Sequence, residues 1–67
     1  MPFVVKITSR IGGACWLSEA NEKGFRTLSN RAWAGVFETY EDANLAIRQL
    51  PPAFRGIGRI FSVEPAN

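Results

Sequence analysis

Apolar and polar residues alternate along both outer thirds of the chain and take up helical spacing once, between Ala43 and Leu50. In Phe3 to Ser9, "FVVKITS", Phe3, Val5 and Ile7 fall on one side, and Val4, Lys6 and Thr8 on the other. That period of two, with many β-branched residues, predicts a strand. The pattern resumes over Ala14 to Glu19, where Cys15 and Leu17 oppose Ala14 and Trp16. Gly12 and Gly13 lie between the two runs and supply the positive-φ positions of a tight connection, so the first two strands form a hairpin. Ala20 to Gly24 reads as a second turn leading to a short third strand, Phe25 to Ser29. Asn30 to Trp33 fits one helical turn. Ala34 to Glu38 then fits a short strand carrying Val36 and Phe37, with Gly35 marking a bulge or a close backbone approach.

The helical stretch follows directly. Thr39 is suited to an N-cap, Asp42 stands three residues later, and Glu41 and Asp42 oppose the positive end of the helix dipole. Ala43, Ala46, Ile47 and Leu50 then share one stripe, and Pro51-Pro52 ends the helix. About 11 residues at 1.5 Å each make a helix about 16 Å long. Arg59 to Pro65, "RIFSVEP", reads as a last strand, with Phe61 and Val63 set against Ile60 and Ser62.

The resulting order is β-β-β-(β)-α-β. It describes one α+β domain over residues 1–67, a three- to four-stranded, mainly antiparallel sheet with one helix on one face. A single short helix leaves the other sheet face uncovered. Val4, Trp16 and Ile60 are assigned to that face, and together they would form an exposed apolar patch.

Size sharpens this picture. A chain of 67 residues buries only about 60% of the surface it exposes when unfolded. A single cysteine can form no disulfide within the chain, and histidine is absent, so no Cys/His metal site supplements the small core. Self-association is the remaining device, and a homodimer through a strand edge or the uncovered sheet face is expected. The apolar run before Lys6 is too short for a signal-peptide core, and no run approaches the roughly 18 apolar residues of a membrane span. A lone thiol suits a reducing compartment, so a cytoplasmic setting and no membrane partner are expected.

The chemistry-bearing residues point away from catalysis. Without histidine the commonest general base is missing, and Cys15 lies mid-strand with no activating neighbour. Glu19 and Glu22 flank a turn, Glu41 and Asp42 belong to the helix start, and no loop has the spacing of a calcium site. No catalytic residue, metal or cofactor is expected, and the chain does not read as an enzyme. The net charge of +2 is too small to name a nucleic-acid partner. Six arginines nevertheless outnumber two lysines, and arginine forks phosphate and stacks on aromatic rings. Arg55, Arg59, Arg10, Trp16 and Arg26 form the candidate binding set. "RGIGR", Arg55 to Arg59, lacks the spacing and the strand-before, helix-after context of a phosphate loop, so it is a turn first.

The stretch "AGVFETYEDANLAI", Ala34 to Ile47, resembles small phage- and prophage-type α+β proteins that pair a hairpin with an F-x-T-x-E-x-A-x-x-A helix. The resemblance carries over no functional residues. It implies a context in which short accessory proteins bind and modulate a larger host or phage protein. The expected function is therefore a non-enzymatic protein-interaction module, and the alternative is an RNA- or DNA-binding module using the surface arginines.

Overall fold

The computed structural model describes residues 2–56 and 58–66; Ile57, the centre of the Gly-Ile-Gly, lies outside them. Four strands, β1 (Phe3–Ser9), β2 (Ala14–Leu17), β3 (Leu28–Ser29) and β4 (Arg59–Pro65), form one antiparallel sheet in the order β3-β2-β1-β4. One α-helix, α1 (Tyr40–Arg48), covers one face, and two short 3-10 turns lie at Arg31–Trp33 and Pro52–Arg55. This is the α+β arrangement that the residue pattern predicts. No helix among the described residues is long and apolar enough to cross a membrane.

Local chemistry explains each element. Gly12 and Gly13 both have positive φ, 95° and 86°, as the β1–β2 connection requires. The Thr39 hydroxyl accepts from the Asp42 amide at 3.0 Å, so α1 starts at its side-chain cap. Pro51 stops the helix two residues after Gln49, its C-cap. Pro65 is tolerated because it ends a strand at the sheet edge, where its missing N–H breaks no ladder bond.

The core forms between α1 and the near face of the sheet. Val5, Ile7, Leu17, Phe37, Ala43, Ala46 and Leu50 are buried together, with Cys15, Ile47, Phe54, Phe61 and Val63 packed around them. The stripe Ala43, Ala46, Ile47, Leu50 therefore faces the sheet. Ile7 stands opposite both Cys15 and Phe61, and Val5 opposite Val63, so one apolar row runs across three strands.

Two sequence expectations change. The third strand is two residues long, not five, because Ser18 and Asn21 divert the chain. The Asn21 carboxamide oxygen accepts from the Lys23 and Phe25 amides, and the Ser18 hydroxyl accepts from the Thr27 amide. Side chains thus occupy groups that a ladder would use. Ala34 to Glu38 is likewise no strand but two isolated bridges, Ala34 with Ser18 and Phe37 with Phe3. Gly35 is buried at a close approach: its amide donates to the Leu17 carbonyl at 2.8 Å. A Cβ there would lie 2.9 Å from the Ser18 carbonyl oxygen and from the Glu19 nitrogen. Beyond β2, Phe37 exchanges both backbone hydrogen bonds with Phe3, each 2.8 Å.

The second sheet face differs as well. The register places Val4, Trp16 and Ile60 there as expected, but they form no common patch. Val4 is 1% exposed, Trp16 is half-buried, and Ile60 alone is open at 65%. The 3-10 turn at Arg31–Trp33 packs against β2, and the Arg31 guanidinium donates to the Ala66 carbonyl just beyond β4. The crossing segment thus links β2 to the end of β4. Trp16 Nε1 is enclosed without a hydrogen-bond partner among the described residues.

Candidate functional site

The five candidate residues do not converge. Arg26 is half-buried; its Nη1 donates to the Ser18 carbonyl at 2.9 Å, and its guanidinium lies 4.8 Å from the centre of the Phe37 ring. Arg55 donates through Nη2 to the Ile47 carbonyl at 3.1 Å and to the Arg48 carbonyl. Those acceptors are among the last carbonyls of α1; Ile47's also accepts from the Leu50 amide at 3.2 Å, so Arg55 adds to the cap at the C-terminal end. Arg59 donates to the Phe54 carbonyl at 2.9 Å and ties the following 3-10 turn to β4. Arg55 and Arg59 are exposed as expected, but part of their donor capacity serves the fold. Arg10 is exposed in the β1–β2 connection, beside Gly58. Trp16 lies half-buried on the second face, on the strand opposite Lys6.

Charge is nevertheless distributed unevenly. Arg10, Arg48, Arg55 and Arg59 gather where the hairpin, the end of α1 and the start of β4 meet. Glu38, Glu41, Asp42 and Glu64 gather at the opposite end, around the start of α1 and the end of β4. Tyr40 marks that acidic end, packed edge-on against Phe3 with ring centres 6.2 Å apart. Among the described residues, no group of three or more Cys, Asp or Glu side chains could hold a metal ion.

A concave surface lies elsewhere, between α1 and the loop before β3. One hollow of about 220 Å³ is lined by Phe25, Arg26, Ala46, Leu50 and Phe54 among others. An adjoining one of about 360 Å³ is lined by Val36, Phe37, Glu38, Asp42 and Leu45, and both share Arg26, Ala46 and Gln49. The floor is the packed core and the Arg26–Phe37 stack. The rim is apolar and open: Phe25 is 62%, Val36 56% and Leu45 46% exposed. Of this groove only Arg26 belongs to the candidate set. Leu45 did carry a signal, since it is a large apolar residue off the core stripe of α1. Phe25 and Val36 carried none, because their faces depend on where the irregular segments Ala20–Thr27 and Ala34–Glu38 turn.

A second surface is the outer edge of β4. Phe3 and Ser9 direct their backbone hydrogen bonds away from β4, to Phe37 and Gly13. By the alternation of an antiparallel ladder, Val4, Lys6 and Thr8 bond β4 through Glu64, Ser62 and Ile60. Phe61 and Val63 therefore aim their N–H and C=O groups outward, where the sheet has no further strand among the described residues. No family model matches the chain, and neither a curated protein nor a solved structure matches it.

Proposed function

We propose that this chain is a non-enzymatic protein-interaction module, and that the groove along α1 receives an apolar side chain of a larger partner. The observation that carries this reading is the open apolar rim of Phe25, Val36 and Leu45 above a floor already packed by Arg26 and Phe37. Three large apolar side chains around one concavity supply the kind of anchor pocket in which binding energy concentrates. Glu38 and Asp42 line one end of the groove, so a partner segment with a basic residue beside its apolar anchor is complementary to it. The likeness of Ala34 to Ile47 to small phage- and prophage-type proteins supports an accessory role, the binding and modulation of a larger protein. The reducing, cytoplasmic setting that a lone half-buried Cys15 suits belongs to the same proposal.

Nucleic-acid binding is the second reading, and the clustering of Arg10, Arg48, Arg55 and Arg59 at one end favours it. Affinity capture from extract with and without nuclease, with wild type beside the Val36→Asp/Leu45→Asp variant, separates the two. A protein retained by wild type and lost with the variant is the expected result. Capture that survives the variant but vanishes with nuclease and with raised salt would move the function to the arginines.

A further inference from the structure

We infer that the outer edge of β4 is the seat of a second copy of this chain, joined across a two-fold axis at Ser62 into a continuous eight-stranded sheet. This interface lies apart from the α1 groove and stands or falls independently of it. β4 is the long edge of the sheet, seven residues against two in β3. Natural edge strands are guarded by charge, proline or a bulge. β4 carries such guards only at its ends, Arg59, Glu64 and Pro65; the centre, Ile60 to Val63, has none. Its register against β1 runs unbroken from Phe3–Pro65 to Ser9–Arg59, so no bulge twists the edge away. Phe61 and Val63 remain half-buried there, and a neighbouring strand would seal them.

The sequence of β4 is complementary to itself when run backwards. With Ser62 opposite Ser62 of the second copy, Phe61 stands opposite Val63, and both are residues whose backbone groups point outward. Each such pair exchanges two N–H···O=C bonds, and symmetry doubles the set to four. On the core side Phe61 then packs against Val63, an aromatic on a β-branched residue. On the second face the exposed Ile60 lies opposite Glu64, whose methylene groups can cover it. The proline falls opposite Arg59, whose amide already donates to the Gly56 carbonyl, so little pairing is lost there. Antiparallel pairing also sets the basic end of each copy beside the acidic end of the other. A net charge of +2 per chain offers little opposition. A strand of another protein would use the same backbone groups, but only a second copy meets this reversed order of side chains and charges.

Sedimentation of the full chain at micromolar to millimolar concentration tests this. The expected mass is twice the 7.4 kDa of one chain. Ile60→Glu places carboxylates opposite each other at two symmetric positions and is expected to raise the dimer Kd about 5- to 30-fold. Adding Glu64→Lys should restore association. Within one chain the two residues lie about 13 Å apart along the strand, too far for that rescue to act inside a monomer. Val63→Pro removes an outward donor and is expected to abolish pairing; if it fails to fold, the charge pair still decides. A monomer throughout the range would overturn the proposal and leave the edge to a different protein. A dimer indifferent to Ile60→Glu, or one that the double variant does not restore, would overturn it equally.

Discussion

The guanidinium of Arg26 stacks 4.8 Å from the centre of the Phe37 ring while it donates to the Ser18 carbonyl. One side chain thereby joins the loop before β3, the end of β2 and the segment entering α1. The Ser18 carbonyl is one that a longer β2 would have offered to a neighbouring strand. Arg26 takes that acceptor, and the sheet narrows at this point.

Loss of this stack has a calculable effect. Arg26→Ala removes a charge-assisted hydrogen bond and a cation–π contact, and is expected to cost about 2 kcal/mol. Urea denaturation monitored by tryptophan fluorescence reads it. A midpoint equal to that of wild type would show that solvent replaces both contacts.

Gly35 and Gly56 should respond to alanine in opposite ways. At Gly35 the new methyl meets the Ser18 carbonyl oxygen at 2.9 Å, a backbone atom that cannot swing aside. The expected loss is about 1–3 kcal/mol, the range for overpacking. At Gly56 φ is −48°, and the nearest atom to a Cβ is 3.7 Å away. Alanine fits there and restricts the unfolded chain, so a gain of about 0.4–1 kcal/mol is expected. Paired thermal melts of the two variants are the check.

The ends of α1 are held by Thr39 and Arg55, and each can be removed separately. Thr39→Ala should cost about 1 kcal/mol through the lost cap. Arg55→Ala should cost about 0.5–1 kcal/mol through its lost bonds to the Ile47 and Arg48 carbonyls, although the residue is exposed and joins no core. Helicity by circular dichroism falls in both cases if the caps act as described. Unchanged helicity in the Arg55 variant would show that water caps the carbonyls as well.

Much of this fold was legible because local signals agreed with one another. Thr39, Glu41, Asp42 and the stripe from Ala43 to Leu50 all specify the same helix, and the glycines of the hairpin fall where the alternation breaks. The facing of β1 followed from its alternation, which sets Val5 and Ile7 on one side and Val4, Lys6 and Thr8 on the other, whereas its partners' register did not. What escaped is non-local. Ser18 and Asn21 withdraw residues from the third strand through side-chain hydrogen bonds, which alternation does not register. Val4 is 1% exposed although it lies on the face away from α1, and alternation assigns a residue to a face without showing whether that face is covered. Arg55 and Arg59 read as free surface charges because their carbonyl acceptors exist only after α1 and the following turn have formed. The groove escaped for the same reason, as its walls come from three separate stretches.

The central place of β1 has a kinetic consequence. Its two neighbours are the next strand in sequence, reached by a four-residue connection, and β4, more than fifty residues downstream at Phe3–Pro65. Synthesis proceeds from β1 towards β4, so the hairpin and α1 are made while one side of β1 still lacks its partner. Closing so long a loop is slow relative to local structure, and folding dominated by such pairings falls in the millisecond-to-second range. During that interval β1 presents the backbone groups of Val4, Lys6 and Thr8 unpaired, a strand edge on which another chain could pair.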